Sequence, residues 1–348
     1  MKLRDGMGLD FDDVLIVPQR STISSRKNVN LERKFNFLHS PRTWTGIPLM
    51  CSNMTSVASM SMAKALAKHK IITCLHKYYE EDQLIELFKD ESLRDYIWVS
   101  IGFSDNDLEK LKRISEALGY QPNICIDVPN GHMDCFVGFC LKVRSYMWES
   151  IIIAGNVATR DMAQELLLHG GVDISKCQIG PGKACKTRIV TGVGYPTITC
   201  IDECSHVAHG LSNGIKKLGL ICSDGGCKNS GDISKALVCG ADFVMIGSLF
   251  SGTNECEQEE IVIDGIRHFK FYGMSSHLAQ ETHGSGKKDY RASEGEVFIV
   301  TAKGPVDDVV QEILGGIRSS CAYIGATNIK DMPKCGEFIR VNRIHQNV

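Results

Sequence analysis

Among the fifteen cysteines of this chain, Cys185 has the neighbours of a nucleophile. It stands in a glycine-rich run, Gly180-Pro181-Gly182-Lys183-Ala184-Cys185-Lys186-Thr187-Arg188, directly after an apolar segment. Cations beside a thiol favour the thiolate, the form that attacks electrophilic carbon. Cys74, Cys125 and Cys222 lie inside apolar runs and read as core thiols packed like small hydrophobes. For a cysteine taken without its neighbours, that buried reading is the ordinary one.

Two glycine turns offer a second chemistry. Ser223-Asp224-Gly225-Gly226 and Ile246-Gly247-Ser248 each close an apolar run, and glycine lets backbone N–H groups approach a phosphate. Asp224 would repel that anion and suits a sugar hydroxyl better. Lys77 and Asp127 end two further runs, and Tyr290-Arg291-Ala292-Ser293-Glu294-Gly295 puts an aromatic ring, a cation and a carboxylate in one polar stretch. Each group also has a bland reading, as tight turns, solvated strand ends or a charged loop. Zinc is not favoured: Cys200, Cys204, His206 and His209 fall on a helix pattern, and neither they nor Cys222 with Cys227 make the paired spacing of a structural zinc site.

The elements that must hold these residues repeat. Eight apolar runs, at 46–54, 71–77, 96–103, 123–131, 150–157, 174–182, 218–226 and 242–250, start 24 to 27 residues apart except for one gap of 44. They are too continuous for half-exposed strands and suit strands covered on both faces. Helical patterns lie between them: 105–118 with an acidic start, 159–169 behind a Thr159 cap, 232–238 and 305–317. Eight strands each trailed by a helix predict an α/β fold of the (β/α)8 TIM-barrel type, with an open doubly wound sheet as the alternative. The expected organisation is one barrel domain over 1–348, with a hairpin and active-site lid at 260–300 after strand eight. Asp264-Gly265 is the hairpin's two-residue turn, and the polar segment 275–296 is the lid.

Composition narrows the function classes. Lysines and arginines number 39 against 41 acids, so no broad basic field points to nucleic acid. No apolar run approaches the roughly 18 residues of a membrane helix, and MKLRDGMGLDFDDV lacks the apolar core of a secretory signal. Reduced thiols and a cytoplasmic location are the expectation.

Five blocks then appear in order: Gly180-Pro181-Gly182 with Cys185-Lys186-Thr187-Arg188, Thr191-Gly192-Val193-Gly194-Tyr195-Pro196, Ser223–Gly226, Phe271-Tyr272-Gly273-Met274-Ser275-Ser276, and Arg291–Gly295. With these separations the chain resembles the IMP dehydrogenase/GMP reductase family over nearly its whole length. The second and fourth blocks resemble the reductase branch, and only a short helix separates strands two and three, where the family's dehydrogenases carry a regulatory insert. The resemblance implies a barrel enzyme that turns GMP and NADPH into IMP, ammonia and NADP+ through a thioimidate on Cys185, with Thr187 and Glu294 as a proton relay. It implies substrate contacts at Asp224, Gly225, Gly226, Gly247, Ser248, Gly273, Met274, Ser275, Arg291, Ala292, Ser293 and Gly295. Cofactor contacts are implied at Lys77, Asp127, Val128, Pro129, Ile179, Gly180, Met274, Tyr290 and Arg291. Ser25, Arg26, Ser319, Ser320 and Cys321 match its outer end, part of it reached across a subunit boundary. Carbonyls of Gly180, Gly182 and Cys185, with Arg188, resemble a potassium-holding loop, and a homotetramer is implied.

The chain departs from the family wording at several positions. Lys183 and Ala184 follow the GPG turn where small residues are usual, Lys186 replaces a threonine, Ser248 a glycine, and Pro129 an alanine that keeps its backbone donor. The added lysines are expected to lower the thiol pKa or to take over part of the cation's role. Three other readings remain open at this point: an IMP dehydrogenase without the insert, a phosphate-binding barrel lyase or isomerase, and a non-catalytic binder.

Overall fold

The computed structural model describes residues 3–4, 6–210, 219–276, 278–279, 281 and 292–342. Eight parallel strands close into a barrel: β1 (Leu49–Cys51), β2 (Ile72–Leu75), β3 (Ile97–Ile101), β4 (Ile124–Asp127), β5 (Ile152–Val157), β6 (Ile174–Cys177), β7 (Leu220–Asp224) and β8 (Phe243–Ile246). Every run expected as a strand is one, and β8 pairs with β1 to complete the ring, which excludes the open sheet. The strands are shorter than the runs because the runs' last residues are small or polar and turn out at the barrel mouth.

Helices α1 (Met60–Lys68), α2 (Glu81–Phe88), α3 (Asp105–Leu118), α4 (Asp134–Tyr146), α5 (Arg160–Leu168), α6 (Thr197–Gly210), α7 (Ser230–Cys239) and α8 (Val306–Ile324) follow the strands in turn. α3 shows why these segments are helical. Ser104 and Asp107 cap its start reciprocally, Leu108, Leu111 and Ile114 make one buried face, and Gly119 ends it at a left-handed φ of 58°. Three expectations need correction. Thr159 precedes α5 but its hydroxyl makes no capping bond. α7 starts earlier than expected, because Asn229 accepts from the Asp232 N–H at 3.0 Å. α8 runs on to Ile324, since Ile317, Cys321 and Ile324 continue its buried face.

Period-two alternation sorts the strand residues into two cores. One set faces the helices. The other, including Met50, Cys74, Trp98, Cys125, Ile153, Ile174, Cys222 and Met245, fills the barrel, whose lower end is plugged by Phe35, Phe37 and Trp44. Phe35 stacks on Phe243 with ring centroids 4.4 Å apart. Beyond β8 comes the hairpin of β9 (Glu260–Ile263) and β10 (Ile266–Tyr272), with Asp264 and Gly265 at φ 51° and 77° as an Asp-Gly turn requires. β11 (Val297–Thr301) adds a third strand that the sequence reading did not include. Among the described residues no helix is long and apolar enough to cross a membrane.

Candidate active site

The residues two places past the apolar barrel layer are Ser52, His76, Ser100, Asp127, Gly155, Lys176, Asp224 and Gly247, and there the filling changes from hydrocarbon to polar groups and glycine. Above them opens a cavity of about 390 Å³. Lys77, Asp127, Val128, Pro129, Ile179, Gly180, Gly182, Cys185, Thr187, Asp224, Gly225, Gly226, Gly247, Ser248, Gly273, Met274, Ser275, Glu294 and Gly295 line it. Residues from seven separate stretches of sequence thus share one wall.

The three side chains expected to act together do meet. The Cys185 thiol donates to Thr187 Oγ1 at 3.2 Å, and the Thr187 hydroxyl donates to Glu294 Oε2 at 2.6 Å. Local geometry explains why. A short helix, Thr187–Val190, begins just after the cysteine and turns Thr187 back toward it. Cys185 then pairs antiparallel with Gly295: the Lys186 N–H donates to Glu294 O at 2.7 Å and the Glu296 N–H to Ala184 O at 3.0 Å. This tie brings the glutamate to the loop. Gly295 and Gly273 are needed there, because a Cβ would lie 2.4 Å from Ser276 N and 2.8 Å from Ala184 O, respectively.

Lys183 and Lys186, expected to act on the thiol or for the cation, each have a partner of their own. Lys186 pairs with Glu296 at 3.1 Å, and the Lys183 ammonium lies 5.3 Å from the centre of the Phe298 ring. Arg188 donates to the Tyr195 carbonyl and, at 3.3 Å, to Asp10 Oδ2. It braces the loop through these two contacts. Asp10 also accepts the Thr197 N–H at 2.7 Å. Burial would raise the Asp10 pKa, but this N–H and Arg188 outweigh it and hold the carboxyl below its ordinary value.

Sequence reasoning missed Lys176. Its side chain is 2% exposed, and its ammonium donates to Asp127 and to Asp224, the latter at 2.8 Å. Asn156 Nδ2 donates to Asp224 at 2.8 Å as well. Gly225 and Gly226 turn the chain beside Asp224 at φ 83° and 79°, left-handed values that favour glycine. Lys303 donates to the Ser248 and Leu249 carbonyls at 3.3 and 2.8 Å, fixing the turn after β8.

Not every expected residue reaches the cavity. Ser293 donates to the Ser275 carbonyl at 3.2 Å, and Ala292 is exposed beside it. Ser25 caps the turn Arg26–Asn28, which packs against α8, the helix that carries Ser319, Ser320 and a buried Cys321. That group lies together, away from the cavity wall. Tyr290 and Arg291 fall outside the described residues. Cys200 and Cys204 are buried on α6, and His209 bonds Asp242 Oδ2 at 2.7 Å. Among the described residues no group of three or more His, Cys, Asp or Glu is arranged to hold a metal ion.

Residues 8–347 match the model of the IMP dehydrogenase / GMP reductase domain. The GMP reductases of Vibrio atlanticus and Photobacterium profundum are each 44% identical to this chain over 350 residues, covering all of it and 99% of the relative. That of Yersinia enterocolitica serotype O:8 / biotype 1B is 44% identical over 346 residues, 98% of this chain and 97% of its own. A closed barrel, a thiol–hydroxyl–carboxylate file at its mouth and an end-to-end match agree: the chain belongs to the IMP dehydrogenase/GMP reductase family.

Proposed function

We propose that this enzyme deaminates GMP reductively to IMP and ammonia while oxidising NADPH, by way of a thioimidate on Cys185. The observation that carries the reading is the file Cys185 Sγ, Thr187 Oγ1, Glu294 Oε2 within one cavity. Relatives named GMP reductase, aligned along the full chain, support it.

C2 of guanine is electron-poor, but its amine is a poor leaving group until protonated. As the Cys185 sulfur bonds to C2, its proton passes through Thr187 to Glu294. The same proton returns through Thr187 to the amine, the C2–N bond breaks, ammonia leaves and the thioimidate remains. A bound nicotinamide supplies a hydride to C2. The C2–S bond then breaks with its electrons returning to sulfur, and one solvent proton restores the thiol. The sum is GMP + NADPH + H+ giving IMP, ammonia and NADP+.

The other roles come from the resemblance, and part of each set lines the cavity. Asp224 meets the ribose hydroxyls, Gly225, Gly226, Gly247 and Ser248 the phosphate, and Gly273, Met274 and Ser275 the base, with Arg291, Ala292, Ser293 and Gly295 over it. The cofactor's place is tested by the donors present: Asp127 keeps 31% of its side chain exposed toward the cavity, and Lys77 is beside it, a carboxylate and a cation suited to a ribose diol and a phosphate or amide. Val128, Pro129, Ile179, Gly180, Met274, Tyr290 and Arg291 complete that subsite, with Ser25, Arg26, Ser319, Ser320 and Cys321 at its outer end. Arg26 suits the extra phosphate of NADPH. For potassium, the carbonyls of Gly180, Gly182, Cys185 and Arg188 are hard oxygen donors. Gly182 O accepts only the Cys185 N–H at 3.0 Å among the described residues, which leaves it a second lone pair. A homotetramer, a cytosolic location and one barrel domain with a 260–300 hairpin and lid complete the proposal.

The test follows NADPH absorbance and ammonia together in a mixture of protein, GMP and NADPH, with mass spectrometry of the trapped protein. Equal consumption and release, with an adduct on Cys185, is expected. Turnover of IMP with NAD+ and none of GMP would favour a dehydrogenase, and no redox turnover at all would remove both.

A further inference from the structure

Beneath the cavity its two carboxylates are tied to a single buried cation. Lys176 projects inward from β6, with Gly155 and Cys222 beside it in register on the flanking strands. The room is made by Gly155, where a Cβ would stand 2.8 Å from Lys176 Cβ and 2.1 Å from its carbonyl oxygen. The ammonium reaches Asp127 Oδ1 at the end of β4 and Asp224 Oδ2 at the end of β7. The cation is 2% exposed, whereas the carboxylates are 31% and 17% exposed, so the anions are the open ends of the bridge. Asn156 gives Asp224 a second donor at 2.8 Å, Lys77 and Asn53 face Asp127, and the thiols of Cys125 and Cys222 lie on the buried side. Burial works to strip Lys176 of its proton, but the two carboxylates outweigh it and hold the ammonium charged. Burial likewise works to protonate Asp127, and Lys176 outweighs it.

We infer that Lys176 is a positioning residue shared by both subsites: one ammonium holds the Asp224 and Asp127 carboxylates in place and leaves each a free edge for a ligand hydroxyl. The inference rests on the proposed function, in which Asp224 meets the ribose of GMP and Asp127 the dinucleotide. Closing the barrel does not require a charge at this level, because Ser52, Ser100 and Gly247 occupy the same inward layer without one. Without the ammonium, two carboxylates that now touch the same nitrogen are left facing each other, with Lys77 beside Asp127 as the remaining cation, and like-charge repulsion raises the pKa of the pair.

The experiment compares wild type, Lys176→Met and Lys176→Arg as full-length proteins. It measures GMP affinity by calorimetry without cofactor, and KM for NADPH, across pH. Lys176→Met is expected to weaken both ligands about tenfold or more at neutral pH. It should also add to GMP binding, between about pH 5 and 8, an ionisation beyond that of the nucleotide's own phosphate, which titrates near pH 6 in every variant. Lys176→Arg keeps the charge and is expected to hold both affinities within about threefold of wild type. Weakening of one ligand only, or of both with no new ionisation, overturns the inference, since general damage to the barrel gives the latter. Should Lys176→Met fail to fold, Lys176→Gln, which keeps a hydrogen-bond donor and loses the charge, takes its place and is expected to weaken GMP about fivefold. Unchanged GMP affinity there overturns the inference. A wild type that neither binds GMP nor oxidises NADPH overturns the proposed function and this inference with it, whereas the other adverse results leave that function standing.

Discussion

Replacing Glu294 by glutamine removes the proton acceptor of the file while keeping its shape. The amide oxygen can still accept the Thr187 hydroxyl, now at 2.6 Å from the carboxylate, and the backbone tie from Lys186 N–H to Glu294 O at 2.7 Å does not involve the side chain. What is lost is the capacity to take the Cys185 proton and return it to the amine, and positioned proton transfer contributes roughly 10²–10⁴ in rate. With the thiol and hydroxyl retained, we expect kcat to fall about 10³-fold, about 4 kcal/mol in the barrier. Little change in Tm is expected, because Glu294 is only half-buried. Rapid-quench measurement of ammonia release beside NADPH oxidation identifies the slowed step, which should be amine loss. Thr187→Val should give a similar loss, and the double variant should be no worse than the worse single, as for groups acting through one another. A fall in kcat below about threefold, or losses that multiply in the double variant, would refute the relay.

The other consequences are as follows. Cys185→Ser is expected to abolish both GMP deamination and adduct formation, and measurable turnover with oxygen in place of sulfur would remove the covalent step. Arg144→Met removes the cation paired at 2.6 Å to the fully buried Asp173 and leaves its carboxylate the N–H groups of His39, Ser40 and Ile152. Denaturant titration should show about 3–5 kcal/mol lost, and a loss under about 1 kcal/mol would mean the pair is inert. Asp10 is held below the ordinary carboxylate pKa, so its contribution is present above about pH 4 and lost as pH falls through its lower folded value. The Tm difference between wild type and Asp10→Asn should therefore shrink with acidification, and a difference constant with pH would contradict it. Lys186 is paired to Glu296 and Lys183 lies over Phe298, so neither is expected to replace the proposed loop cation, and activity should be lost when potassium is exchanged for a bulky organic cation. Full activity without potassium would reverse that.

How far the residues announce the molecule depends on which contacts are local. The barrel was legible because a strand covered on both faces is apolar along its length, as in Ser150-Ile151-Ile152-Ile153-Ala154, and eight such runs with helices between them leave few architectures. Thr187 lies two places from Cys185, within one turn of the loop, so that half of the file is local. Glu294 arrives through the pairing of Cys185 with Gly295, a contact between distant segments that no periodicity encodes, and only the resemblance pointed to it. The partners of Lys186 and Lys183, Glu296 and Phe298, are likewise distant in sequence and were not legible from it. Lys176 is the instructive case. In Ile174-Ser175-Lys176-Cys177 the lysine looks like a flaw in a strand, yet it has the parity of Ile174, which faces the barrel interior, just as Asp127 has that of Cys125 and Asp224 that of Cys222. Parity alone therefore puts all three charges inside. Two like charges and one opposite charge on that inner face are intelligible only if they meet, and closure of the ring is what brings β4 and β7 within reach of the strand between them.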